Sequence, residues 1–184
     1  MPVIRNAHIY LTEGITWTLH ANHVPIKARL QPACVFDAGG SRMTPVADGL
    51  DARAFLAILN SDIASFILKK FIKHNQDIEI NDLRALPVVL PSRECASRLR
   101  RLATLATAAK RAQFAGAIPD NETALAVRQL GGDLQSAAPA YLRPSAQAIL
   151  LETPADCLDV VELAVNWEVE KLYDVEGLGP FDDF

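Results

Sequence analysis

Between Lys69 and Gln76 the chain reads Lys-Lys-Phe-Ile-Lys-His-Asn-Gln, a compact run of cations, a histidine and amides. Lys69, Lys70 and Lys73 are of the type that neutralises phosphate. Asn75 and Gln76 are of the type that bonds an adenine edge through two hydrogen bonds. His74 stands between them and extends the polar cluster. Arg29 and Arg42 flank a candidate strand and a Gly-Gly loop and offer the same phosphate chemistry. The pattern fits DNA contact. The lysines also have a plainer use, because cations in the last turns of a helix complement its dipole. Arg29 and Arg42 serve equally well in surface ion pairs.

Catalytic and metal chemistry is poorly provided for. His20 and His23 with Cys34 offer zinc-ligand types, but no fourth ligand and no second pair at finger spacing accompany them. Asp37-Ala38-Gly39-Gly40 has the composition of a loop that binds a nucleotide or S-adenosylmethionine. It lacks the GxGxxG spacing and no Walker lysine follows, so a tight turn is expected. No G-x-S-x-G, H-E-x-x-H or deaminase signature occurs. We therefore assign no catalytic residue and no metal ligand. Trp17 is expected in the core rather than as a base-stacking platform.

The elements that must position these residues follow from periodicity. Ile15–Leu19 alternates β-branched and aromatic residues and predicts a strand; Ala28–Leu30 and Ala33–Phe36 predict two more, with a bend at Pro32. Asp37–Ser41 is expected as a loop. A helix is expected from Asp51 to about Ile72, with Phe55, Leu59, Ile63, Phe66, Ile67 and Phe71 as its buried stripe. Asp77–Asn81 alternates and predicts a half-buried strand. Leu86-Pro87 and Leu90-Pro91 then forbid helix.

Beyond them Ser92 caps a long helix from Arg93 to about Ala117. Asp120 caps another, expected to stop at Gly131-Gly132. Residues 133–153 carry little pattern. Thr153-Pro154-Ala155-Asp156 starts a last helix with Leu158, Val161, Val165, Val169 and Leu172 inward. The expected class is α+β: a small N-terminal sheet with a packed helix over 1–92, then a helical region over 93–184 packed against it.

Charge is unevenly placed. From 93 to 150 eight bases face four acids; from 151 onward Lys171 stands against ten acids. The acidic end is a poor DNA surface and suits solvent or a basic partner. No apolar leader opens the sequence, and the best membrane candidate, Ala54–Ile72, holds Asn60, Ser61 and Asp62 at its centre. Three widely spaced cysteines without a CxxC fit free thiols in a reducing compartment. A cytoplasmic protein without membrane association is the expectation.

The order of the pieces carries a resemblance. Ile15-Thr16-Trp17, then Phe36-Asp37-Ala38-Gly39-Gly40, then a helix with Leu59-Asn60-Ser61, then Ile80-Asn81-Asp82-Leu83 and Leu86-Pro87 resemble the C-terminal target-recognition region of adenine-specific DNA methyltransferases. These are the fused type II restriction–modification enzymes and the BREX-type phage-defence methyltransferases. Type I specificity subunits are similar in the late part. Glu168–Tyr173 and the following Asp174–Phe181 resemble the tails of such enzymes.

The resemblance implies a DNA-recognition module for double-stranded DNA, with Lys69, Lys70 and Lys73 anchoring phosphates and Asn75 and Gln76 facing bases. The Asn/Asp-Pro-Pro-aromatic catalytic motif and the methyl-donor glycine motif are absent from this sequence. The chain is thus expected to be a fragment or split product, silent alone. It would bind no cofactor itself, and S-adenosylmethionine would belong to a methyltransferase domain or subunit acting with it on a flipped adenine. The alternative is a helical protein–protein interaction module that docks a partner subunit without touching DNA.

Overall fold

The structure is a computed structural model and describes residues 10–19, 26–35, 41–44, 50–73 and 77–175. It is of the α+β class: a small antiparallel sheet, then a mostly helical region.

The sheet holds β1 (Gly14–Trp17), β2 (Ala28–Gln31) and β3 (Arg42–Met43) in the order β2-β1-β3. Ile15 lies opposite Leu30 and Met43, and Thr16 lies opposite Arg29 and Arg42. Residues directly opposite share a face. Ile15 and Trp17 therefore face the core, while Thr16, Arg29 and Arg42 share the other side. Gly14 is on that second side too, where a Cβ would stand 2.2 Å from Arg42 Nε. The missing side chain lets Arg42 lie along β1, its Nη2 donating to Thr12 Oγ1 at 2.7 Å. The strand expected at Ala33–Phe36 is not formed over 33–35, where the chain leaves the ladder after Pro32, which has no N–H to give. β3 was not expected. The glycines of the expected loop lie outside the described residues.

The helix expected from Asp51 to Ile72 is three pieces: α1 (Ala52–Leu59), α2 (Asp62–Ile67) and a π-helical turn over Leu68–Ile72. Two side chains make the first break. Asn60 turns to β2, accepting from the Ala28 amide at 3.0 Å and donating to the Ala28 carbonyl at 3.1 Å, as a further strand would. Ser61 donates to the Ile58 carbonyl at 2.7 Å and accepts from the Ala64 amide at 3.2 Å, which starts α2. The Leu-Asn-Ser run is thus the joint between sheet and helices. Asn60→Ala is expected to lower stability by about 1–3 kcal/mol, two net hydrogen bonds, read as the urea midpoint. A change within about 0.3 kcal/mol would remove this role from Asn60.

The strand expected at Asp77–Asn81 is instead a short helix, α3 (Ile80–Arg84). A capping box overrides the alternation: the Glu79 amide donates to Asp82 Oδ2 at 2.7 Å and the Glu79 side chain accepts in return. After the Leu-Pro exit, Ser92 caps α4 (Arg93–Phe114). Gly116 ends it at φ 63, and the Ala117 amide returns to the Ala112 carbonyl at 2.9 Å.

Asp120 caps α5 (Asn121–Ala137), which runs through Gly131-Gly132 rather than stopping there. Val127, Gly131 and Leu134 form one buried row, and that packing outweighs the backbone cost of glycine. A 3-10 turn (Ala140–Leu142) and α6 (Ala146–Leu150) lead to α7 (Pro154–Tyr173), whose Thr153–Asp156 capping box forms as read.

α4 packs on α1 and α7, and α5 and α6 pack on α7. One cluster of buried side chains runs from Ile15 through Ile58, Leu59 and Leu99 to Val169, so the regions over 1–92 and 93–184 share a core among the described residues. No helix there is long and apolar enough to cross a membrane.

Candidate nucleic-acid interface

The lysine corner forms where the second break falls. The Lys73 amide bonds the Leu68 carbonyl at 2.8 Å, an i to i−5 closure that widens the helix into a π turn. Such turns occur often at functional sites. Its geometry alters the expected stripe. Phe55, Leu59 and Ile63 are buried, and Phe66 and Ile67 half-buried, but Phe71 is 71 % exposed. Phe71 meets Phe66 edge-on, with ring centroids 5.7 Å apart. An aromatic therefore stands in solvent beside exposed Lys70 and half-buried Lys69. Helical spacing predicts Phe71 inside, and no residue pattern announces a π turn.

Lys73 is ion-paired within the fold. Its Nζ lies 3.3 Å from Asp82 and 4.0 Å from Glu79, so it neutralises the capping box of α3. The next described residues fix the corner to the sheet. The Ile78 amide donates to the Leu19 carbonyl, and the Ile78 carbonyl accepts from Trp17 Nε1, each at 2.8 Å. His74, Asn75 and Gln76 lie outside the described residues.

The two arginines divide. Arg29 is exposed on β2. Arg42, on the same sheet face, is 4 % exposed and bonded to Thr12. The geometry gives Arg42 a place within the sheet and leaves Arg29 available at the surface.

Groups that suit catalysis stand apart. No set of three His, Cys, Asp or Glu side chains gathers for a metal among the described residues, where Cys34 lies and His20 and His23 do not. Cys34, Cys95 and Cys157 are free thiols. Burial pushes the Cys95 and Cys157 thiols up, with Glu168 and Asp156 respectively adding to it, so both are poor nucleophiles. A cavity of about 240 Å³ between α4, α5 and α7 is walled by Leu102, Leu105, Leu130 and Trp167, with Arg98, Arg101 and Glu168 at its polar side. Lys171 lies 3.2 Å over the Trp167 ring.

Glu170 is 6 % exposed and accepts from the Tyr141 hydroxyl at 2.6 Å. Burial raises its carboxyl above the ordinary 4.5, against the Tyr141 bond and with help from Asp62. The folded state then holds the proton more tightly than the unfolded one, so this group lowers stability as pH rises from 4.5 through the folded value. Glu170→Gln keeps an acceptor for Tyr141 and removes the charge. Its stability relative to the parent is expected to rise across that window in urea titrations at successive pH. A constant difference would mean that Glu170 does not titrate there.

Compared with protein-family models, with curated proteins and with solved structures, the chain finds no match.

Proposed function

We propose that this chain is a DNA-recognition module, non-catalytic by itself, that acts with an adenine methyltransferase domain or subunit of a restriction–modification or phage-defence system. The observation that carries the reading is the π turn, which sets Lys69, Lys70 and exposed Phe71 side by side on a corner tied to the sheet. Cations beside an exposed ring suit a duplex, whose phosphates take the charges and whose grooves and partly unstacked base steps admit an apolar wedge. The segment order that resembles target-recognition regions supports it. In this reading the methyltransferase partner supplies S-adenosylmethionine and the reacting site, and Arg29 adds a phosphate contact.

The test is duplex binding with the methyltransferase partner present, followed by fluorescence anisotropy across salt. Lys69→Gln with Lys70→Gln is expected to flatten the slope of log K against log salt by about 1.8, two phosphate contacts at 0.9 each. Phe71→Ala is expected to weaken binding by up to about 3 kcal/mol, the range for one apolar side chain taken out of water, with the slope unchanged. Absence of salt-sensitive binding in the parent protein would remove the reading.

A second reading, docking of a partner subunit, has its own observation. Phe114, Ile118 and Leu125, around the α4–α5 connection, are 96 %, 74 % and 56 % exposed. Phe114→Ser is expected to cut co-purification of the methyltransferase subunit while leaving duplex binding intact, if this end is the dock.

A further inference from the structure

We propose that the outer face of α4 is a second DNA surface, a sequence-independent clamp on the phosphate backbone. The inference rests on the DNA-binding reading above, yet it comes from different residues. Arg93, Arg100, Thr104 and Arg111 recur at intervals of seven, four and seven, which sets them in one row of the helix, with Ser97 alongside and Arg101 at the edge, where it also lines the α4–α5–α7 cavity. All six are exposed. The buried residues Cys95, Leu99, Leu102 and Ala109 lie on the opposite side, against the other helices.

The charges on this face are largely unspent. Arg100 is held by Asp51, and Arg98 by Glu94 and Glu168, both at 2.8 Å. Arg93, Arg101 and Arg111 have no ion pair among the described residues. Glu94 is the one carboxylate on α4 and belongs to Arg98. Three guanidinia without ion pairs, Arg93 and Arg111 in the row and Arg101 at its edge, are a ready partner for a polyanion, and Ser97 adds a hydroxyl donor between them.

Spacing favours duplex DNA. At a rise of about 1.5 Å per residue, Arg93 and Arg101 are about 12 Å apart along the helix, and Arg101 and Arg111 about 15 Å. The major groove is about 12 Å wide, so a helix laid across it brings cations to phosphates on both walls. The row holds no Asn or Gln to read base edges, so the contact positions the duplex without selecting its sequence. It also has no exposed apolar side chain between the arginines, which a membrane-lying helix would need.

The test compares four proteins, each with the methyltransferase partner present, on several unrelated 30-base-pair duplexes, by anisotropy across salt. These are the full chain, Arg93→Gln/Arg101→Gln/Arg111→Gln, the same triple with Lys in place of Gln, and Lys69→Gln/Lys70→Gln. The arginine triple is expected to flatten the salt slope by about 2.7 on every duplex, and to weaken binding at 0.1 M salt by about two to three orders of magnitude. A triple Arg→Lys variant is expected to restore most of the slope, which a folding defect would not. If the lysine variant loses binding while the arginine triple keeps parental affinity and slope, the α4 surface is overturned and the DNA reading stands. If the parent binds no duplex, both fall. If the triple loses heparin or RNA binding but keeps duplex binding, the face serves another polyanion and the proposal fails.

Discussion

Trp17→Ala is expected to lose about 3–5 kcal/mol of stability, the range for deleting a buried aromatic. Trp17 is 3 % exposed within the sheet-facing core, and its indole N–H donates to the Ile78 carbonyl at 2.8 Å. Two terms add in the alanine variant. The ring's apolar surface is lost with incomplete collapse around it, and a carbonyl is left without its donor. Trp17→Phe separates them. It keeps most of the apolar volume and leaves the carbonyl unpaired, which costs about 1–3 kcal/mol. Both are read as urea midpoints at constant m. A tryptophan that stacked on a base would behave in the opposite way, with alanine sparing stability and removing DNA affinity. If Trp17→Ala melts within about 0.5 kcal/mol of the parent, Trp17 is not scaffold. The bond has a further consequence, because Ile78 is what fixes the lysine corner to the sheet. Trp17→Phe should therefore speed hydrogen exchange at the Ile78 amide more than at the Leu102 amide in α4.

What the residues announced, and what they did not, divides along a physical line. Caps were legible because they are local: Ser92, Asp120 and Thr153 each accept from the amide three residues on. The buried row Leu158, Val161, Val165 and Val169 was legible because its period survives folding. The failures all come from partners distant in the chain or from competing local bonds. Nothing near Asn60 says that its amide will pair with Ala28, so periodicity predicts one helix where Asn60 separates α1 from α2. At Asp77–Asn81 alternation and a capping box compete for the same residues, and the box wins. The helical spacing of Phe71 from Ile67 predicts a core position. The π closure at Lys73 alters the phase before the stripe is complete. For the site the consequence is a redistribution. Lys73 stabilises α3, Arg42 belongs to the sheet, and Phe71 joins the lysines outside.

Leu99→Ala tests whether sheet and helices are one folding unit, on which any mechanical link between the lysine corner and α4 depends. Leu99 is fully buried on α4, in the cluster that runs from Ile15 to Val169. Its truncation is expected to cost about 2–5 kcal/mol, transfer energy plus cavity. That is a large share of the roughly 5–15 kcal/mol that holds a domain folded. The chain has two tryptophans, Trp17 in the sheet and Trp167 on α7. With Trp167→Phe as background, fluorescence reports the sheet through Trp17, while circular dichroism reports the helices. One cooperative unit requires both signals to move together to the same lower urea midpoint when Leu99 is shortened. If the dichroism midpoint falls and the Trp17 midpoint stays, the sheet folds without the helices. The DNA surfaces proposed on the corner and on α4 would then be carried by separate bodies. Coincident midpoints mean that α1, seated between β2 and α4, transmits the loss to the sheet. A duplex gripped by both surfaces would then hold one rigid body rather than two.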